Sequence, residues 1–472
     1  MRLRERGFQF KRVNEAPYLR VSGCAGGAGV AQWPGMWRRL FCLSLVASCA
    51  LCAQDLASQA DAFVRGMVEQ KRFQGSVLLA REGKPLFRKS YGLANAEWDA
   101  ANTPDTKFRL GSITKQFTSA LILQLAEQGK LRLEDSVLKY YTEGPKSWEP
   151  VTIHHLLSHQ SGIPSYTGLP GFFEKQAGVA RTPAEIIQLT DKMPLEFDAG
   201  TKFSYDNTGY ILLGYIIEKV TGISYEAQLR KAILDPLGMK DTGFDHYTEI
   251  LPHRADGYVS QGGKLQRAAF LEMSLPYAAG SLYSTVDDLL KWDQALYGTQ
   301  VLSAASKEKM WTPNRSHYGY GWFIQTRHGE QVVEHGGGIN GFNTVIMRVP
   351  AKKLVAIALS NVNTGSMDTI GAGLLALGLG KSAPVLSHTK IMLAPDAMKV
   401  FEGVYTLDAD TKFTVKVAGD HLTVQAQGGS LEFQPMIATR FFNDSRNIEI
   451  EFAKDGSSFT LHQDGRQETL KK

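Results

Sequence analysis

Cysteine is scarce: the 472-residue chain has four, Cys24, Cys42, Cys49 and Cys52, all within the first 52 residues. Past that point no disulfide, thiolate metal site or cysteine nucleophile is available. An excess of charge of one sign is missing as well. The formal +5 arises in residues 1–53, which hold eight Lys/Arg and two Asp/Glu, while the remainder carries 44 basic against 45 acidic residues, a balance of −1. That balance gives no electrostatic argument for nucleic acid or an anionic membrane, and nucleic acid is not expected as a partner. Several chemical signatures are also lacking: the chain has no Gly-x-Ser-x-Gly, no His-Glu-x-x-His, no zinc-spaced cluster and no nucleotide-binding glycine loop. The motifs by which those chemistries are usually read are thus not available.

The first 53 residues are readable as a leader. Arg38-Arg39 precede an apolar run from Leu40 to Ala47, followed by Ser48-Cys49-Ala50-Leu51-Cys52-Ala53. This is the pattern of a secretory signal, and the run is too short to span a bilayer. Residues 1–35 fit poorly as its basic start, so Met36 is the expected true beginning and the mature protein is expected outside the cytoplasm, secreted or periplasmic. Val46-Ala47-Ser48-Cys49 also has the form of a lipoprotein box, which would place a lipid anchor on Cys49; simple cleavage near Ala53 or Gln54 competes with it.

Patterning divides the rest. Ser76 to Ala80 and Pro85 to Arg88, separated by Arg81-Glu82-Gly83-Lys84, predict a β-hairpin. Helical spacing then dominates: the helix beginning at Ser112, His154 to Ser158, Pro183 to Lys192, Gly209 to Val220, Tyr225 to Ile233 and Val286 to Leu296. Strands resume over Tyr320–Gln325, Gln331–Glu334, Phe342–Arg348 and Leu354–Leu359, and a helix is expected over Leu374–Leu379. Strands from both ends enclosing a helical middle predict an α/β sandwich with an antiparallel sheet flanked by helices. The expected organisation is a leader over 1–53, a main domain over 54–380, a linker over 381–395 and a small all-β, barrel-like domain over 396–472. In that last part Phe413/Val415/Val417 and Leu422/Val424/Ala426 alternate across a turn. The module is expected to pack near the entrance of the functional site.

Four serines have a lysine three residues on: Ser112/Lys115, Ser136/Lys139, Ser306/Lys309 and Ser387/Lys390. Spacing alone does not choose among them, but context does. Ser136 and Ser306 sit among charged residues and Ser387 follows a punctuated linker, whereas Ser112 opens a helix that Phe117, Ala120, Leu121, Ile122, Leu123 and Leu125 make apolar nearly all round. On a helix, Ser112 and Lys115 share a face, and an amine there can activate a serine without histidine or metal. The bland alternative is a capping serine and a lysine that snorkels to water. Two partners strengthen the first reading. Tyr205-Asp206-Asn207, the one Tyr-x-Asn in the chain, offers a phenol for proton transfer and an amide for a substrate carbonyl or for the lysine. His335-Gly336-Gly337-Gly338 offers bare backbone, and the N–H of Gly338 with that of Ser112 would make an oxyanion hole. His317-Tyr318-Gly319 has a similar look and is read as a decoy.

These three elements in this order resemble the serine β-lactamase and penicillin-binding-protein superfamily, in particular its class C β-lactamase-related branch of esterases, D-alanyl-D-alanine carboxypeptidases and D-amino acid hydrolases. The resemblance spans about residues 60 to 375 and includes Phe108 to Lys115, Leu156-Leu157-Ser158-His159-Gln160-Ser161-Gly162, Ala279 to Thr285 and His335-Gly336-Gly337. It implies a β-lactamase/transpeptidase-like fold, Ser112 as acylated nucleophile, Lys115 and Tyr205 as the proton-transfer pair, Asn207, His335, Gly337 and Gly338 as substrate-binding residues, and no metal or cofactor. Family members acting on β-lactams or carboxylate-ended peptides usually begin the third motif with lysine; His335 is mostly neutral at pH 7. Ester or D-amino-acid amide and peptide substrates, small or cell-wall derived, are expected ahead of β-lactams. Three other readings fit less well. A zinc site on His155 and His159 lacks the accompanying glutamate, an α/β-hydrolase lacks its nucleophile elbow, and an inert penicillin-binding sensor would not need every catalytic residue type.

Overall fold

The computed structural model describes residues 55–472 apart from 262–263, 408–410 and 427–428. The expected signal segment, with Met36 and Cys49, lies outside the described residues.

Six antiparallel strands form the central sheet: β1 (Gly75–Arg81), β2 (Lys84–Tyr91), β3 (Phe323–Arg327), β4 (Glu330–Ile339), β5 (Phe342–Val349) and β6 (Leu354–Ser360), in the spatial order β3-β4-β5-β6-β1-β2. The strands from the two ends of the chain meet where β1 pairs with β6, Leu78 opposite Ile357. β1 and β6 read as unbroken apolar runs because both faces of the sheet are covered. Leu78, Ile346 and Ile357 join the core under the helical region, while Val77, Leu79, Val345, Met347 and Ala356 join a second core. That second core is closed by helix α1 (residues 55–69) and helix α5 (Met367–Gly378).

The helical region contains α2 (Thr114–Glu127), α3 (Ile153–Leu157) and α4 (Asn207–Thr221). α2 is buried on nearly every side, and Phe117 stacks on Trp292 with ring centroids 4.4 Å apart. Several boundaries differ from the periodicity. The helix expected over Pro183–Lys192 stops at Ile187, and that expected over Tyr225–Ile233 loosens into a π turn after Leu229. His335-Gly336-Gly337-Gly338 is not a turn between strands: it lies inside β4, with Gly336 opposite Val345 and Gly337 opposite Thr344, and the reversal comes later, at Gly341 with φ +79°. Periodicity missed this because three glycines carry no side-chain pattern to read.

The C-terminal eight strands, from Gly403 to Lys471, close into a barrel. The predicted alternation is its second hairpin, with Val417 paired to Leu422. The interior is filled by Tyr405, Phe433, Phe441, Phe452, Phe459 and their neighbours. The barrel docks on the β3–β4 hairpin: Arg327, 1% exposed, binds Glu334 through two hydrogen bonds of 2.6 Å and donates to the Asp464 carbonyl at 2.9 Å. His328 N–H donates to Gly465 O at 2.8 Å. Among the described residues no barrel residue lines the cavity that holds Ser112, but Arg446, Gln463 and Asp464 of the barrel line a neighbouring cleft together with Gly337, Asn343 and Gly365. The turn residues of the barrel reach the edge strand of the sheet.

Candidate active site

Ser112 sits in a 3-10 turn, Gly111–Ile113, that runs directly into α2, so Lys115 falls in the first turn of the α-helix. Gly111 has φ +56°, a conformation glycine adopts without strain, and a Cβ there would lie 3.0 Å from the backbone of Gly338. This close approach brings β4 against the serine turn. Ser112 caps nothing, and Lys115 does not snorkel: its side chain is 0% exposed.

The amine of Lys115 has three polar neighbours. Nζ lies 3.1 Å from Ser112 Oγ, 2.9 Å from Asn207 Oδ1 and 2.9 Å from the carbonyl oxygen of Ala279. Two of these can only accept, whereas the serine hydroxyl can also donate. A neutral amine therefore fits the site fully: its two N–H groups go to the carbonyls and its lone pair faces the Ser112 proton. Burial drives the lysine toward that form, pulling its pKa from 10.5 to about 7 against the opposing charge of Asp206.

Tyr205 lies beside the pair, with Nζ of Lys115 4.9 Å from its ring centre. Burial pushes its pKa up, so it is held as a phenol, while Ser112 opposes part of that push. Its hydroxyl makes no well-aligned hydrogen bond among the described residues, so Ser112 is a near neighbour and not a fixed partner. Burial thus favours loss of charge at the lysine over loss of the proton at the tyrosine. Asn207 begins α4 directly after the Asp206 cap, and its amide nitrogen donates to Thr167 Oγ1 at 3.0 Å.

The cavity at Ser112 has a volume of about 410 Å³. Ser112, Asn207, Gly338 and Asn340 supply polar edges, and Tyr166, Phe172, Phe173, Leu271, Leu275 and Ile339 supply apolar walls. Among the described residues no Asp, Glu, Lys, Arg or His lines it. A larger cleft of about 780 Å³ between the barrel and the β3–β4 hairpin contains none of the residues just described, so chemistry singles out the smaller one.

His335 and Gly337, expected to touch substrate, stand behind the wall that Gly338 and Ile339 make. The His335 ring is 3% exposed, shares a 3.1 Å hydrogen bond between Nε2 and the Tyr318 hydroxyl, and approaches Gly336 O through Nδ1 at 2.5 Å. Burial first, and then the Lys115 charge, push its pKa down to about 3, so it is neutral and contributes no cation. Gly337 acts by what it lacks: a Cβ there would fall 1.9 Å from Leu110 O. His155 and His159 do not share a helix face. His155 accepts from the Thr152 N–H in a capping box, and His159 lies beyond the end of α3 with φ +55°.

Sequence reasoning missed four neighbours. Tyr318, read as part of a decoy, packs on His335 and His159; the Ala279 carbonyl, a backbone group, leaves no residue-type signal; Asp206 and His159 are buried beside Tyr205. The Tyr-x-Asn motif itself contained the Asp206 signal, since an acidic residue immediately before a helix is an N-cap.

Comparison with known proteins gives concordant results. The Beta-lactamase family model matches residues 60–379. Penicillin-binding protein 4* of Bacillus subtilis (strain 168) is 30% identical over 431 residues, covering 85% of this chain and 95% of the relative. The structure of an octameric penicillin-binding protein homologue from Pyrococcus abyssi is 31% identical with a TM-score of 0.66, covering 88% of this chain and 99% of that one. A D-stereospecific amidohydrolase from Streptomyces sp. is 26% identical with a TM-score of 0.54, covering 66% and 94%. With the family model spanning well over half of its length and an Ser112–Lys115 pair at hydrogen-bond distance, the chain belongs to the β-lactamase family of serine hydrolases, the superfamily that includes the penicillin-binding proteins.

Proposed function

We propose that this protein hydrolyses uncharged esters, and amides built on D-amino acids, through an acyl-enzyme on Ser112. The observation that carries the reading is the three-way setting of the Lys115 amine, two carbonyl acceptors and one hydroxyl, in a site whose burial favours the neutral form. Ser112 Oγ attacks the substrate carbonyl as its proton passes to Lys115 Nζ, and the new oxyanion takes the N–H groups of Ser112 and Gly338. The ester or amide bond then breaks, with the proton passing from Lys115, by way of the Tyr205 phenol, to the leaving group. Water enters by the same proton route and releases the acid. Asn207 orients both the lysine and the substrate carbonyl.

The uncharged cavity wall supports neutral acyl groups. A substrate carboxylate would be taken out of water with no cation among the described lining residues to receive it, since the third motif supplies a neutral, buried His335. Carboxylate-ended peptides and β-lactams therefore rank below esters. The amide branch is favoured by the likeness to the D-stereospecific amidohydrolase. The leader pattern supports a secreted or periplasmic place, where cell-wall-derived substrates are available.

The test is a panel of a p-nitrophenyl ester, a D-amino acid amide, a D-Ala-D-Ala peptide and a chromogenic cephalosporin, with wild type and Ser112→Ala. Ser112-dependent turnover of the ester or the amide, exceeding that of the two carboxylate-bearing compounds, is expected. Preference for the peptide or cephalosporin would overturn the substrate assignment, and turnover of none would overturn the enzyme reading.

A further inference from the structure

His159 has no place in the mechanism above, yet it is built into the site more elaborately than packing requires. It is 1% exposed and holds φ +55°, a left-handed conformation uncommon for any residue but glycine. Its ring lies 4.2 Å from that of Tyr205, 4.7 Å from Tyr318 and 5.1 Å from Tyr210. A phenylalanine has the ring volume to fill this aromatic cage but no ring nitrogen. Nε2 of His159 is buried with no hydrogen-bond partner among the described residues, and an unpaired buried polar group costs roughly 1–3 kcal/mol. The cost calls for a function at the other nitrogen.

That function is visible in two hydrogen bonds that bracket Tyr205. The backbone carbonyl of His159 accepts the Ser204 N–H at 3.0 Å, and Nδ1 accepts the Asp206 N–H at 3.1 Å. We propose that His159 is a positioning residue that clamps Ser204–Asp206 from both sides, so that Tyr205 meets Ser112 and Asn207 meets Lys115 in register. The proposal rests on the assignment of Ser112, Lys115, Tyr205 and Asn207 made above. The link to the lysine is short: Asp206 caps α4 by accepting the Gly209 N–H at 2.9 Å, and Asn207, the first residue of that helix, accepts from Lys115 Nζ. Because Nδ1 must accept, the ring proton resides on Nε2 and the ring must stay neutral. The ionisable groups around it are Lys115, Asp206, His335, Tyr205, Tyr210 and Tyr318; burial, reinforced by Lys115 and His335, keeps the ring from taking a second proton.

Two variants separate the clamp from the packing. His159→Phe keeps ring volume and loses the acceptor; His159→Asn loses ring volume but places Oδ1 near the Nδ1 position and tolerates a left-handed backbone. Steady-state turnover of the preferred ester and thermal unfolding are measured for both. Phe is expected to lower kcat by about 100-fold, the scale of an ångström-sized misplacement, with KM within about threefold, and Asn to recover much of that loss although it is the less stable of the two. Wild-type kcat in the Phe variant, or an Asn variant as slow as Phe, would overturn the proposal. An independent reading comes from nitrogen NMR of the His159 ring in the wild-type protein. A proton on Nε2 and a hydrogen-bond coupling between Nδ1 and the Asp206 amide are expected, and a proton on Nδ1 would overturn the clamp whatever substrate the enzyme uses. Absence of any Ser112-dependent turnover would count against the proposed function and leave the NMR result to decide the clamp.

Discussion

The pH dependence of acylation follows from the burial of Lys115. Its pKa falls from 10.5 to about 7, and at 1.36 kcal/mol per unit this is roughly 5 kcal/mol against charging the amine in place. Only the neutral amine can take the Ser112 proton. The acylation rate should therefore rise tenfold per pH unit below a midpoint near 7 and level off above it, so that at pH 5 it is about 1% of the plateau. Asp206 is the charge that holds the ammonium up, so Asp206→Asn should move the midpoint to lower pH while asparagine still serves as a helix cap. The assay is the p-nitrophenol burst from a saturating ester, followed from pH 5 to 9 at constant ionic strength. A flat profile, a midpoint near the ordinary lysine value, or an upward shift in Asp206→Asn would refute the reasoning. The same shifts act on stability with opposite signs. Between about 7 and 10.5 the unfolded lysine binds the proton the folded one has lost, so this contribution makes stability rise with pH. Asp206, raised to about 7 by burial, makes stability fall with pH between 3.8 and about 7.

Two substitutions test the frame around the site. Gly337→Ala would place a Cβ 1.9 Å from Leu110 O and 2.3 Å from Thr344 Oγ1, forcing β4 away from the Gly111–Ser112 turn; kcat should drop by about 100-fold, whereas Gly336→Ala, whose nearest contact is 3.5 Å, should leave ester turnover unchanged. Equal losses in both, measured by steady-state kinetics, would count against the glycine assignment. Arg348 and Asp293 form an ion pair with both side chains 0% exposed, the guanidinium lying over Tyr297 and Trp311. Asp293→Ala leaves that guanidinium buried and unpaired and should cost roughly 3–5 kcal/mol in urea unfolding; a change near zero would show that water reaches the arginine.

What could be read from the chain and what could not divide along physical lines. The strands of the sheet and the helices α2 and α4 carry strong periodicity, so β1, β5, β6 and the Ser112 helix were visible within a residue or two. The glycine-rich half of β4 was invisible because glycine has no face, and the Pro183 helix was overextended because Leu189 and Thr190 continue the pattern after the backbone has turned. Ser112, Lys115, Tyr205 and Asn207 converge because each lies at or next to the N-terminus of a long buried helix, α2 or α4. His335 misled in one respect. Its type suggested a wall of the pocket, but its ring is buried against Tyr318 and Tyr205, and of the four motif residues it is Gly338 that lines the cavity. The partners that belong to backbone carbonyls, Ala279 O above all, have no sequence signature.

The central claim is that Ser112 is the acylated atom and Lys115 its base. Intact-mass analysis after reaction with a fluorophosphonate tests it most directly. Wild type should gain a single adduct, localised by peptide mapping to Ser112, Lys115→Met should form the same adduct far more slowly at pH 8, and Ser112→Ala should form none. An adduct of equal yield in Ser112→Ala, or an undiminished rate in Lys115→Met, would contradict the account.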